Sequence, residues 1–180
     1  MERSSKNHYE VPLMRYFGWL LILFLSGCTE NLTQKNHIVI GENKPIQSTF
    51  TPKEARLKLS YEKPYLLFFF SKTCGACKEA IPYLNELAQS FQGEVEIIGI
   101  LGGSSRSDND IAFLNQHDVR FKVISDPQST EYFSKAVGGV YGVPLFAFFS
   151  SDGKEMKRFL GLVPKSLLEE TLKTIRPNEF

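Results

Sequence analysis

One stretch of the chain has the sequence Phe68-Phe-Phe-Ser-Lys-Thr-Cys74-Gly-Ala-Cys77-Lys-Glu-Ala-Ile-Pro82. The apolar run that leads into it, Leu66–Phe70, stops at a polar turn, and two cysteines follow three positions apart. Apolar residues with a helical period come next, so the stretch predicts a buried strand, a turn and a helix in succession. Because both thiols lie where the helix begins, the sequence predicts a dithiol at a helix N-terminus.

The composition limits the kinds of protein that this chain can be. Its 180 residues carry a formal net charge of +1 and are 42% hydrophobic, which is ordinary for one globular domain with a targeting segment. A nearly neutral chain lacks the basic surface of a nucleic-acid-binding protein, so we expect no nucleic-acid partner. The three cysteines, Cys28, Cys74 and Cys77, are too few for a disulfide framework, and two of them form a C-x-x-C motif.

The N-terminus has the features of an export signal. An uncharged apolar block runs from Tyr16 to Ser26 after Arg15, and its eleven residues are fewer than the roughly 20 that a membrane-spanning helix needs. The block ends in Leu25-Ser-Gly-Cys28, which resembles the bacterial lipobox, whose cysteine becomes the lipidated first residue of the mature protein. An ordinary signal peptide with a chance cysteine, an uncleaved short anchor and a start at Met14 are the alternatives.

The lipobox resemblance implies a division of the chain into three parts. Residues 1–27 are the lipoprotein signal peptide, residues 28–49 are the lipidated N-terminus and a flexible tether, and residues 50–180 are the folded domain. The polar composition of the second part, with Gly41 and Pro45, favours a tether. We therefore expect an extracytoplasmic protein, held to a membrane of the bacterial cell envelope through lipid on Cys28.

The first elements of the domain follow from cap and periodicity signals. Thr51-Pro52-Lys53-Glu54 combines a capping box with a proline at the first helical position, which predicts a short helix ending near Tyr61. The apolar residues Tyr65 to Phe70 predict a fully buried strand. A helix follows, because apolar side chains recur at spacings of three and four residues; they are Cys77, Ile81, Leu84, Ala88 and Phe91.

The C-terminal half predicts a strand, a helix, a strand, a helix, two strands and a helix. The predicted elements are a strand over 95–101, a helix that starts at Ser107 and buries Ile111, Phe113 and Leu114, a strand over 121–124, a short helix over 132–137, strands over 144–150 and 156–160, and a helix over 164–175. Asp152-Gly153 predicts a hairpin between the last two strands. This order predicts an α/β fold with a mixed central sheet flanked by helices.

These elements resemble the thioredoxin fold. The likeness rests on the buried strand, Cys74-Gly-Ala-Cys77, Pro82 in the following helix and Gly142-Val143-Pro144 before a strand. The region from Ile97 to Asp126 is similar to the short strand and helix insertion of the membrane-anchored TlpA/ResA-like branch. The resemblance covers residues 51–175 and implies a thiol–disulfide oxidoreductase whose redox centre is the cysteine pair, without another cofactor.

The residue types around the dithiol suit thiol–disulfide exchange. A thiolate attacks a disulfide, and a helix N-terminus lowers a cysteine's pKa because backbone N–H groups and the helix dipole favour negative charge. Cys74 is therefore the expected nucleophile, and Cys77, one turn further along, is the expected resolving cysteine. Lys72 and Lys78 are expected to add positive potential beside the dithiol.

Five residues are predicted to contact the substrate. The resemblance implies that Pro144 is a cis-proline facing the dithiol, so that the backbone of Val143 can pair with an extended substrate segment. A trans proline that begins the strand is the alternative. Thr73 stands where the family usually has Trp and makes the surface more polar, whereas Gly75 and Ala76 are small and leave the attacking sulfur accessible.

Two further positions depart from the family's pattern. Phe68 replaces the buried Asp or Asn that is common six residues before the first cysteine, and Ala80 stands where the TlpA/ResA-like branch usually has Glu. Glu79 lies one position earlier, about 100° around the helix, and is not equivalent. The usual proton acceptor for Cys77 is therefore missing from its usual places, so either water, Glu79 or Lys72 assists or the exchange is slower.

The resemblance implies a monomer that reduces disulfides of partner proteins and takes electrons from a donor in the membrane, because the space outside the cytoplasm is oxidising. Cytochrome c maturation is the best-known role of the branch, and the missing Glu weakens that assignment. A disulfide-forming oxidase is the nearest alternative, although the inserted region is too short for the helical domain of the DsbA family.

Two alternatives belong to other classes of protein. A thiol peroxidase usually has Thr three residues before its attacking cysteine, where this chain has Ser71. An SCO-like copper carrier needs C-x-x-x-C, one residue longer than the motif present. A zinc site would need four ligands, and only Cys28, His37 and His117 could join the pair, so we expect no metal site.

Overall fold

The computed structural model describes residues 33–104 and 108–176, so the predicted signal peptide and Cys28 lie outside the described residues. The strands are β1 (Thr33–His37), β2 (Ile46–Thr51), β3 (Arg56–Leu59), β4 (Tyr65–Phe70), β5 (Glu96–Leu101), β6 (Lys122–Ile124), β7 (Leu145–Phe149) and β8 (Glu155–Leu160). The helices are α1 (Gly75–Ser90), α2 (Asp108–Gln116), α3 (Pro127–Ala136) and α4 (Lys165–Ile175). No helix within the described residues is long and apolar enough to cross a membrane.

Five strands form the central sheet, in the order β6-β5-β4-β7-β8. β4, β5 and β6 run parallel, whereas β7 runs antiparallel to β4 and to β8. The predicted mixed sheet is thus confirmed, and β4 is buried along its whole length at the centre. The carboxyl ends of three parallel strands meet at one edge, which is where open α/β sheets bind their ligands.

The two faces of the central sheet are covered by different elements. Successive side chains of a strand point to opposite faces, so the even-numbered and odd-numbered residues of β4 belong to two apolar clusters. The even-numbered residues pack with side chains of α1, α2 and α4. The odd-numbered residues pack with side chains of α3 and of the N-terminal strands.

The N-terminal strands β1, β2 and β3 form a separate antiparallel sheet. The prediction of a flexible tether is therefore wrong for residues 33–49, which form two strands joined by a loop. The physical reason is burial, because the side chains of His37, Val39 and Ile46 are almost completely enclosed. Their apolar contacts hold this segment against the domain.

The prediction of a helix from Thr51 to Tyr61 is also wrong. Only Pro52–Glu54 form a turn of 3-10 helix, and the Thr51 side chain makes no capping hydrogen bond. Ala55 then takes a left-handed conformation, with φ 50°, that ends the turn. Strand β3 follows because its two leucines alternate with polar residues and bury their side chains, a period of two that local cap signals did not reveal.

Helix α2 forms near its predicted position, although a different set of residues faces the core. Ile111 is 47% exposed, whereas Phe113 and Leu114 are buried and Asp110 is fully buried. The predicted start at Ser107 lies outside the described residues. The helix therefore brings a carboxylate, and not the predicted isoleucine, into the interior.

Candidate active site

The two cysteines lie between the carboxyl end of β4 and the first turn of α1. Cys74 is the N-cap residue of α1, and its sulfur accepts a hydrogen bond from the Cys77 backbone N–H at 3.1 Å. The turn before it is closed by a hydrogen bond from the Cys74 N–H to the Ser71 carbonyl, at 3.3 Å. The N-terminal N–H groups of a helix lack partners within the helix, so this position favours a thiolate on Cys74.

Cys74 and Cys77 are joined by a disulfide, with their Cα atoms 5.2 Å apart. Cys77 is fully buried, whereas Cys74 is partly exposed. A sulfur atom of another protein can therefore approach Cys74 but not Cys77. The burial fixes which of the two thiols can make first contact with a partner.

A loop that precedes β7 faces the exposed sulfur. The peptide bond between Val143 and Pro144 is cis, and the Val143 carbonyl oxygen lies 3.7 Å from Cys74 Sγ. The Pro144 carbonyl accepts a hydrogen bond from the Gly161 N–H at 2.8 Å, which ties the loop to the residue after β8. Val143 itself is more than one-third exposed, so this part of the loop is open to an extended peptide beside the disulfide.

A groove of about 360 Å³ opens beside this loop, and sequence analysis did not identify it. Its apolar wall includes Phe69, Val140 and Val143, and its polar wall is formed by Thr130 and Glu131 of α3. Val143 thus contacts both the sulfur and the groove. The predicted strands could have indicated a site at their carboxyl ends, because open α/β sheets bind ligands there. The contribution of α3 to the groove could be seen only in the tertiary fold.

Exposed apolar side chains extend the surface on the other side of the loop. Tyr141 is 96% exposed and Leu160 is 66% exposed, although both are large hydrophobic residues. Leu160 lies next to Gly142, since a Cβ atom added to that glycine would be 3.4 Å from Leu160 Cδ1. Exposed apolar residues near a reactive sulfur are suited to contact with another polypeptide.

The other predicted site residues surround the start of α1. Thr73, Gly75 and Glu79 are exposed, whereas Lys72, Ala76 and Lys78 are half-buried. Glu79 follows Cys77 by two residues, about 200° around the helix, and it points to solvent while Cys77 points to the core. The structure therefore does not bring Glu79 to the buried thiol.

The two positions that depart from the family's pattern, Phe68 and Ala80, are both part of the apolar core. Phe68 is fully buried and stacks on Phe70 and Phe146, with ring centroids 4.9 and 5.1 Å away. Ala80 is fully buried in the same cluster as Cys77. No buried acid therefore stands at either of these two positions beside the Cys77 sulfur.

Lys72, which was expected to add positive potential beside the dithiol, is paired with a carboxylate. Its ammonium lies 2.7 Å from a carboxylate oxygen of Asp110, and Ser104 donates a hydrogen bond to the other oxygen. Burial alone would raise the pKa of Asp110, but the hydrogen bonds from Lys72 and Ser104 hold it below its usual value. Sequence analysis missed Asp110 because its burial follows from the way α2 packs.

The histidines considered as metal ligands are elsewhere. Both ring nitrogens of His37 lie 2.7 Å from serine hydroxyls, those of Ser129 and Ser48. The His117 ring packs on Phe113 with centroids 4.5 Å apart. Within residues 33–104 and 108–176, no group of three or more His, Cys, Asp or Glu side chains is arranged to hold a metal ion.

The arrangement of fold and dithiol is found in known proteins. A model of the AhpC/TSA family matches residues 42–149, which is more than half of the chain. The chain belongs to the AhpC/TSA family. It is therefore a member of the thioredoxin superfamily, as the resemblance implied.

Curated relatives identify the kind of member. The thiol–disulfide oxidoreductase ResA of Bacillus thuringiensis strain Al Hakam is 29% identical over 176 residues, which cover 89% of this chain and 96% of that protein. ResA of Bacillus thuringiensis subsp. konkukian is 30% identical with the same coverage. The predicted activity is thus confirmed: this AhpC/TSA-family protein is a thiol–disulfide oxidoreductase.

A solved structure agrees on the fold. StoA of Bacillus subtilis superposes with a TM-score of 0.60 at 15% identity, covering 77% of this chain and 95% of that protein. At this identity the likeness concerns the fold alone. The thioredoxin fold predicted from the sequence is confirmed.

Proposed function

We propose that this oxidoreductase is a lipid-anchored, extracytoplasmic reductant of protein disulfides, in which Cys74 attacks and Cys77 resolves. The unequal accessibility of the two sulfurs supports these roles, because only the Cys74 sulfur is open to a partner. The groove and the apolar side chains around the loop at Val143 offer a surface for an extended polypeptide. The export signal and the cysteine at position 28 support the location.

The reaction follows thiol–disulfide exchange. In the reduced protein, the Cys74 thiolate attacks one sulfur of the partner's disulfide, and the other sulfur leaves as a thiolate that takes up a proton. The Cys77 thiol then loses its proton and attacks Cys74 Sγ, which releases the partner's second thiolate. Two electrons pass to the partner, and the Cys74–Cys77 disulfide is the oxidised product. A dithiol donor in the membrane must then reduce this disulfide again.

A trapping experiment tests the roles of the two cysteines. The full-length Cys77→Ser protein lacks the resolving thiol, so a mixed disulfide between Cys74 and the partner should accumulate in cells. Cys74→Ser is the matched control and should capture nothing. Captured proteins that are bonded through another residue, or an equal yield in both variants, would contradict the assignment.

The identity of the captured proteins gives the partner class. A protein with C-x-x-C-H, the haem-attachment motif, would assign the chain to cytochrome c maturation. Captured proteins with other disulfides would assign it a different reductive role. The reduction potential tests the direction of electron flow, since a value near the approximately −120 mV of the oxidant DsbA would contradict a reductant.

The anchor is tested at Cys28. Cells grown with a labelled fatty acid should incorporate the label into the wild-type protein and not into Cys28→Ala. Fractionation should find the wild type in membranes and the variant released or unprocessed. Equal labelling of both proteins would contradict the lipoprotein assignment, and the N-terminal mass of the mature protein would then show where it is cleaved.

A further inference from the structure

The turn that carries Cys74 is connected to α2 by a charge pair. Lys72 lies in the middle of that turn, two residues before Cys74, so their Cα atoms are at most about 7 Å apart. Its ammonium contacts Asp110 in the first turn of α2, at 2.7 Å. The pair therefore joins the end of β4 to the helix that follows β5.

Asp110 is placed to hold this ammonium. The aspartate is fully buried, whereas the Lys72 side chain is 31% exposed. A buried carboxylate requires charged or hydrogen-bonding partners, because removal of either kind leaves a desolvated charge. Lys72 supplies the cation and Ser104, after β5, supplies a hydroxyl. Three segments at the carboxyl edge of the sheet thus meet at one carboxylate.

The pair also sets the charge carried by the turn that holds Cys74. A lysine two residues from Cys74 would stabilise its thiolate if the ammonium were unpaired. With Asp110 beside it, the positive charge is compensated within hydrogen-bonding distance. Helix α2 packs on the same face of the sheet as α1, since Phe113 and Leu114 belong to the same apolar cluster as Cys77.

We propose that Asp110 is a positioning residue of the dithiol, which holds Lys72 in a closed ion pair and so limits the positive charge that acts on Cys74. This proposal rests on the proposed role of Cys74 as the attacking thiol. It assigns the electrostatic control of the dithiol to a residue outside the C-x-x-C motif and outside Phe68 and Ala80, the two positions that depart from the family's pattern.

Two substitutions that change the charge of the pair in opposite directions should shift the thiolate fraction of Cys74 in opposite directions. In the reduced full-length Cys77→Ser protein, the rate at which Cys74 is alkylated, followed against pH by mass spectrometry, reports its thiolate fraction. Asp110→Asn leaves Lys72 uncompensated and should raise the thiolate-to-thiol ratio about threefold, the effect of one charge about 10 Å away in a partly hydrated setting. Lys72→Met should lower the thiolate-to-thiol ratio at pH 8. It removes a positive charge, while the Asp110 carboxylate, which still accepts a hydrogen bond from Ser104, keeps its negative charge.

Controls separate charge from structure. The double variant of Lys72→Met and Asp110→Asn should return to the wild-type ratio, and Lys72→Arg should stay near it. Glu169→Gln and Lys173→Met remove a pair of the same length, 2.7 Å, from α4 and should change nothing. Shifts in the same direction in both single variants, or none in either, would overturn the proposal.

The outcome remains interpretable if one variant does not fold. Circular dichroism and thermal melting identify such a variant, and the other single variant then decides alone, with Lys72→Arg as the control: an unchanged ratio in Lys72→Met or in Asp110→Asn overturns the proposal. Failure of the proposed function looks different. In that case Cys74 would show no thiolate reactivity in the unsubstituted Cys77→Ser background, whatever residues stand at positions 72 and 110.

Discussion

His37 should make the stability of the fold depend on pH. The side chain is fully buried between the N-terminal sheet and α3, and its two ring nitrogens lie 2.7 Å from the hydroxyls of Ser48 and Ser129. Its ring packs against the rings of Tyr132 and Phe133, at 5.0 and 4.4 Å between centroids. Burial and the positive charge of Lys35 disfavour an imidazolium and outweigh the opposing charge of Asp126, so the folded protein favours the neutral ring.

The magnitude follows from the pKa. Burial, with a contribution from the nearby charge of Lys35, lowers the pKa of His37 from 6.5 to about 4. Between these two values the unfolded chain binds a proton that the folded protein does not, so stability falls as the pH decreases. This contribution is fully present above pH 6.5 and should decrease by about 2.5 kcal/mol at pH 4.5.

Urea unfolding of the oxidised protein at pH 7 and pH 4.5 measures this effect, with His37→Gln as the comparison. Acidic residues change the stability of both proteins alike, so the difference between the two proteins isolates His37. His37→Gln should be less stable at pH 7, because it loses ring packing, and the gap should narrow by about 2.5 kcal/mol at pH 4.5. A gap that does not change with pH would refute the reasoning.

Two further predictions concern the core around the dithiol. Gly99→Ala should destabilise the fold by about 1–3 kcal/mol in urea unfolding, because the new Cβ atom would lie 2.9 Å from ring carbons of both Phe70 and Phe121. Ala80→Glu should lower the stability by at least about 3 kcal/mol, since it buries an unpaired carboxylate, while Ala112→Glu on an exposed position of α2 should change it by less than about 0.5 kcal/mol. Unaltered unfolding of Ala80→Glu would mean that this core can open to water.

Local sequence signals were sufficient for the centre of the fold. A continuous apolar run predicts a buried strand wherever a strand has neighbours on both sides and on both faces, which is the situation of β4. The C-x-x-C motif and the helical period after it likewise predict the order strand, dithiol, helix. These features depend on neighbouring residues, so they could be recognised without the tertiary structure.

The N-terminal region shows where such signals fail. Pro52 and Glu54 are a good helix start by local chemistry, yet the chain forms a sheet there. Leu57 and Leu59 gain more by burial against the core than a short exposed helix would gain from its cap. The tether prediction failed for the same reason, because a polar segment with few apolar residues can still be held by the long-range contacts of His37.

The site itself shows a similar division between local and tertiary information. An acid at position 68 or 80 would lie inside an apolar cluster that contains Cys77, where its charge would be desolvated and without a described partner. Asp110 instead reaches the edge of the sheet, where Lys72 and Ser104 supply the contacts that a buried charge requires. The two sulfurs lie in different environments: Cys74 is partly exposed at a helix N-terminus, and Cys77 is buried beside aromatic and aliphatic side chains. Because exchange needs one thiol that ionises readily and one that waits until the mixed disulfide forms, this difference between the two sulfurs supports the proposed order of attack.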